Sequence, residues 1–163
     1  MAKAATPRNG ETEVESLGDE AGKTLDEARM VLPGMQALFG FQLIAVFNQG
    51  FRELGELAKY THLVALLLVT LGISLIMTPA IYHRIAERGR ITRRFTQLAS
   101  VLIAAAMAPL GLGITLDLAL VSWMISASTP IALAVGGAAA LLFAALWFVF
   151  PLSQRTRRRR ANA

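Results

Sequence analysis

Residues 61–82 read THLVALLLVTLGISLIMTPAIY, a stretch with no aspartate, glutamate, lysine or arginine. At 1.5 Å per residue, a helix of that length reaches about 33 Å, enough to cross the roughly 30 Å hydrocarbon layer of a bilayer. The pattern recurs. Residues 30–48, 95–121 and 130–150 form further apolar blocks, and the segments between them carry most of the charge. Of the 163 residues, 55% are hydrophobic, more than a soluble domain of this size commonly holds. The blocks predict an all-α fold: an integral membrane four-helix bundle with spans at about 30–48, 61–82, 95–121 and 130–150.

Local chemistry sets the expected ends of these elements. Residues 1–23 are acidic and show no apolar period, which predicts a disordered cytoplasmic segment. Their polarity is unlike a cleaved leader. Thr24 and Glu27 have the spacing of a capping box, so a helix is expected to start there and open a transmembrane domain covering 24–151. Pro33 and Gly34 predict a kink near the start of the first block, or a break that separates a short surface helix from the span. Residues 49–60 suggest a short interfacial helix. Pro109, Gly111 and Gly113 predict a bend in the long third block. Pro130 suits the first turn of the fourth, and Pro151 is expected to end it. Residues 152–163 form a basic cytoplasmic tail.

The connectors set the orientation. Fourteen of the sixteen lysines and arginines fall in the N-terminal segment, the loop between blocks two and three, and the tail. Only Arg52 and Lys59 fall in the first connector, and the last has none. Cytoplasmic loops collect basic residues, so both termini are expected in the cytoplasm. The net charge of +5 is then explained by topology and by anionic lipid headgroups, with no call for nucleic acid. There is no cysteine, which excludes disulfides and thiolate chemistry. His62 and His83 lie at opposite ends of block two, too far apart to share a metal. No cofactor motif, phosphate loop or paired carboxylate is present, so an enzyme is not expected.

The run from Glu27 through Ala28-Arg29, Leu32-Pro33-Gly34, Gln36, Leu38-Phe39 and Phe41-Gln42-Leu43, with Thr78-Pro79 and Tyr82-His83-Arg84, resembles a family of small bacterial membrane proteins known as a domain of unknown function. The likeness extends over about residues 24–150. It implies a four-helix, multi-pass protein of the bacterial plasma membrane, and no activity.

Candidate residues follow from the cost of polarity in lipid, about 2.5–3.5 kcal/mol for an aspartate at the bilayer centre. Asp117 is the charged residue deepest in an apolar block. It reads either as a proton or cation site, or as an interfacial group hydrated or paired with Lys59 or Arg52. Thr115 stands close enough in sequence to donate to it. Gln36, Gln42 and Asn48 do not share one helical stripe, so hydrogen bonding between helices explains them better than a pore does. His83 is a candidate titrating residue. Glu27 and Arg84, at the same expected depth, are a candidate ion pair. Arg155, Arg157, Arg158, Arg159 and Arg160 are expected to contact anionic lipid. The small residues of blocks three and four allow close helix packing or a homo-oligomer. The overall expectation is a structural or accessory membrane component. A small oligomeric proton or cation channel or carrier, and a lipid sensor, are the alternatives.

Overall fold

The computed structural model describes the backbone of residues 9–86 and 92–161, and every regular element in it is helical. In chain order these are α1 Asn9–Ala45, α2 Gln49–Arg52, α3 Glu56–Ala86, α4 Arg93–Ser126 and α5 Thr129–Ala144, then a π-helical turn, Ala145–Val149, and α6 Phe150–Ala161. Three helical stretches are long and apolar enough to cross a membrane: Glu56–Ala86, Arg93–Ser126 and Thr129–Arg157. The first expected span is not among them. Its residues form the end of α1 and the turn beyond Ala45, and glutamines and glycines interrupt its apolar run.

Several expected boundaries move. Residues 1–8 of the expected disordered segment lie outside the described residues, but 9–23 are helical. The helix therefore starts at Asn9 and not at Thr24, whose side chain is likewise outside the description. α1 also runs unbroken through Pro33. Pro151 does not end the last helix. The π-turn lies immediately before it, and Pro151 falls in the first turn of α6, where its missing N–H is not needed. The tail is helical through Ala161, and the arginine-bearing loop residues Arg88 and Arg90 lie outside the described residues.

The chain divides into two compact units, one comprising the chain up to Ala37 with Ile73–Ala106, the other Leu38–Gly72 with Met107–Ala163. In the first, Phe95 is the buried anchor. It stacks near-parallel to Tyr82 at 6.2 Å and packs against the His83 ring at 5.2 Å. The Thr92 hydroxyl accepts from the Phe95 amide at 3.2 Å, a side-chain cap on the first turn of α4.

In the second unit, small residues let backbones approach. A Cβ on Gly113 would lie 2.9 Å from Val69 Cγ2 and 3.0 Å from the Ala65 carbonyl oxygen, so α3 and α4 meet there with no room for a side chain. Gly136 of α5 sits against Ala119 of α4 in the same way, and Gly111 lies under Trp147. Contacts of this kind join helices through dispersion, where lipid offers no hydrophobic gain. Beyond the π-turn, Phe150 and Leu152 stand exposed, as do Leu133, Leu141 and Leu146 before or within it.

Buried residues trace a stripe along α3 and another along α4. On α3 it runs through Ala58, His62, Ala65, Val69, Gly72, Ile76 and Pro79, alternating steps of three and four. On α4, Ala106, Leu110, Gly113 and Leu120 are spaced alike, and Asp117 fills the gap between the last two. Leu63, Leu67 and Leu71, off the α3 stripe, are exposed. His62 thus occupies a buried position and Asp117 a half-buried one, while large apolar residues face outward, unlike the polar outer face of a water-soluble helix.

Candidate functional site: a carboxylate, an imidazole and an amide

All the components of the site belong to the second unit. Asp117 projects from α4, His62 from the second turn of α3, and Gln42 from the last turn of α1. His62 Nδ1 lies 3.1 Å from Asp117 Oδ1, and its Nε2 lies 2.9 Å from the Gln42 backbone carbonyl oxygen. The Gln42 side-chain amide nitrogen donates to Asp117 Oδ2 at 2.5 Å. The His62 side chain is 8% exposed and that of Asp117 18%. Phe51 meets the imidazole edge-on at 5.2 Å, limiting its rotation.

Proton counting follows from these partners. A carbonyl oxygen only accepts, so Nε2 of His62 carries a hydrogen. The contact between Nδ1 and Oδ1 then needs one more proton. It is satisfied by an imidazolium facing a carboxylate, or by a neutral imidazole accepting from a protonated carboxyl. Either way the pair holds one proton and has no net charge. A second proton would leave it at +1. Removing the first would leave it at −1, with two lone pairs facing each other.

One atom of the cluster is not served. Gln42 Oε1 is buried and has no donor among the described residues. The Thr115 hydroxyl is in the same state, and so it does not donate to Asp117. Other hydroxyls on these helices donate to the carbonyl four residues back, as Thr61 does to Leu57 at 2.8 Å and Ser122 to Leu118 at 2.6 Å.

The cluster opens on a cavity of about 410 Å³. Its walls are mostly apolar, with Leu38, Phe41, Leu120, Val121 and Met124 beside Asn48 and the three residues of the cluster. A second cavity, about 220 Å³, lies between α4 and the end of α5 and is lined by apolar groups and Thr115. Among the described residues no group of three metal-type ligands occurs.

The structure thus redistributes the sequence candidates. Asp117 and Gln42 come together, with His62 as the unexpected third member. Asp117 is not paired with Lys59, whose ammonium meets Glu56 at 3.2 Å, nor with Arg52. Ser126 closes α4 about 14 Å beyond Asp117. Gln36 is exposed and belongs to the other unit. Asn48 caps α2, accepting from the Gly50 amide at 2.9 Å. Glu27 and Arg84 are both exposed, and no ion pair joins them among the described residues; Asp26 and Arg29 pair instead, at 3.2 Å. The His83 ring packs against Phe95. Arg155 and Arg157 are exposed, and the side chains of Arg158, Arg159 and Arg160 lie outside the described residues. His62 was legible in principle, because its place on the apolar stripe of α3 and its expected depth both match those of Asp117.

These features define an all-helical protein with several helices of membrane-spanning character and a hydrogen-bonded carboxylate–imidazole–amide cluster set among mostly apolar walls. The chain belongs to the family of unknown function DUF6328, whose model matches residues 10–151. No curated protein and no solved structure matches it.

Proposed function

We propose that this chain is a multi-pass protein of a bacterial plasma membrane, and that its working site is the His62–Asp117–Gln42 cluster, acting in proton-linked carriage of a cation. The observation that carries this reading is the 3.1 Å contact between His62 Nδ1 and Asp117 Oδ1 beside an open cavity, a geometry that one shared proton satisfies. A group that holds one proton at zero net charge, among apolar walls, suits an exchange of charge across lipid. The outward-facing leucines and the hydroxyls turned back onto their own helices favour a lipid setting. The asymmetry of basic residues favours four spans with both termini in the cytoplasm, the last turns of α1 completing the first. No catalysis is included. A conducting path would involve several copies, and the arginines of the tail would hold anionic headgroups.

A second reading has its own support. The cluster joins α1, α3 and α4 by side-chain bonds, which suits an accessory component that needs only a rigid fold.

The test is reconstitution into liposomes with a trapped pH indicator and an imposed potential. Carriage predicts proton flux that falls at least tenfold in Asp117→Asn. A well-folded wild type without flux favours the accessory reading. Because the chain has no cysteine, single introduced cysteines at both ends would report the expected sidedness against an unlabelled background.

A further inference from the structure

The cavity beside Asp117 has a chemistry more specific than that of a proton site alone. Phe41, Leu120, Val121 and Met124 offer an apolar surface, and the charge-bearing group at its edge is a carboxylate already matched by one proton. Its volume of about 410 Å³ lies in the range of small-molecule sites. Gln42, buried and lining the same cavity, keeps an amide oxygen with no donor among the described residues. An unserved acceptor in such a place calls for a donor from outside the fold.

We propose that this cavity binds an aromatic or aliphatic ammonium ion bearing N–H groups, and that each ion bound displaces the proton shared by His62 and Asp117. The inference rests on the proton-holding reading above and names the cation it serves. The exchange balances. Before binding, the pair is neutral with one proton. That proton leaves to solvent, the Asp117 carboxylate keeps its negative charge, and His62 stays neutral with Nε2–H on the Gln42 carbonyl. The ammonium brings one positive charge, so the site is neutral again. Its N–H groups donate to Asp117 Oδ1, to the lone pair freed on His62 Nδ1, filling the place of the lost proton, and to the left-over Gln42 Oε1. The hydrocarbon part of the ligand covers the apolar walls. A quaternary ammonium has no N–H and leaves Nδ1 facing carbon.

No other group in this unit is placed to supply the exchanged proton. Its remaining titratable side chains before the arginine tail are Arg52, Glu53, Glu56, Lys59 and Tyr60. Lys59 and Glu56 pair with each other, and Arg52, Glu53 and Tyr60 are exposed. None is bonded to His62 or Asp117 among the described residues.

The experiment is calorimetric titration of the detergent-solubilised full chain with 2-naphthylmethylammonium, in buffers of different ionisation enthalpy. The expected result is release of about one proton per ion bound, with affinity rising up to tenfold per pH unit while the pair is protonated. Naphthalene-2-methanol and the trimethylated ammonium should each bind at least tenfold more weakly. Asp117→Asn should abolish proton release. Val121→Trp, which fills the cavity while keeping all three cluster residues, should weaken binding at least tenfold while leaving thermal stability intact. The proposal is overturned if the alcohol binds as well as the amine, if the amine binds without proton release, or if Val121→Trp binds normally. Binding with release in a protein that shows no liposome flux would keep this inference and refute carriage. Flux without amine binding would do the reverse.

Discussion

Replacing Asp117 in two ways separates a bonded cluster from a set of neighbours. Asp117→Ala removes the acceptor of the Gln42 amide, at 2.5 Å, and the partner of His62 Nδ1, at 3.1 Å. Hydrogen bonds between helices in lipid average about 0.6 kcal/mol and reach about 1.7, so two lost bonds come to about 1–3 kcal/mol. Asp117→Asn behaves differently. The asparagine oxygen accepts from the Gln42 amide, and its nitrogen donates to Nδ1 of a neutral His62, with Nε2–H still on the Gln42 carbonyl. Its cost should stay under about 1 kcal/mol. The assay is equilibrium unfolding in mixed micelles, followed by fluorescence of Trp123 and Trp147. His62→Leu alone and combined with Asp117→Ala completes a double-mutant cycle, with an expected coupling of about 0.6–1.7 kcal/mol. If alanine is tolerated as well as asparagine, or if the two substitutions add without coupling, the cluster contributes nothing as a bonded unit and the proton count built on it loses its basis.

Four further substitutions test the packing and the backbone. Gly113→Ala should destabilise the fold by about 1–3 kcal/mol in the same unfolding assay, because the new methyl meets the Ala65 carbonyl, which cannot yield as a side chain does. Gly137→Ala, at a position with open space, should instead stabilise it by up to about 1 kcal/mol through helix propensity. Phe95→Ala should cost about 3–5 kcal/mol and release the Tyr82 ring, seen as a changed tyrosine near-ultraviolet dichroism. Ala127 holds a left-handed backbone with φ of 50° between α4 and α5, so Ala127→Gly should be neutral or stabilising by about 0.5–1 kcal/mol in thermal melts.

The helical class and the apolar blocks two to four were legible because length and hydropathy act over twenty residues at a time and one substitution barely disturbs them. The helix ends were less so. Thr24 and Glu27 have the right spacing for a cap, yet a capping box contributes only at a free helix start, and α1 continues through it to Asn9. Pro151 predicts a stop only if the helix before it is regular. The π-turn at Ala145–Val149 changes the register, and the chain restarts as α6. Reading residues by block also placed Asp117 near charged loop residues of similar depth, Lys59 and Arg52. Reading by stripe places it opposite His62. The difference is angular: two groups at one depth meet only if both point to the same seam.

That angular requirement explains why the cluster is built from these three residues. Steps of three and four along α3 and α4 keep narrow stripes buried, and half of the members named are Ala, Gly or Val, which bring the backbones close. A polar side chain on such a seam has no water and few partners, so it is tolerated only where the neighbouring helix presents its complement. Asp117 alone would leave a charge at a small-residue contact, and His62 alone would leave a ring nitrogen unserved. Together they hold one proton and cancel in charge, and the Gln42 carbonyl at the end of α1 fixes which imidazole nitrogen carries the other hydrogen. The remaining amide oxygen of Gln42 is the one acceptor of the cluster left over among the described residues, and Gln42 itself lines the cavity. A cluster selected only to hold helices together has no use for an unserved acceptor next to an opening. A cluster that trades its proton for a cation does, and the proton count per bound amine decides between them.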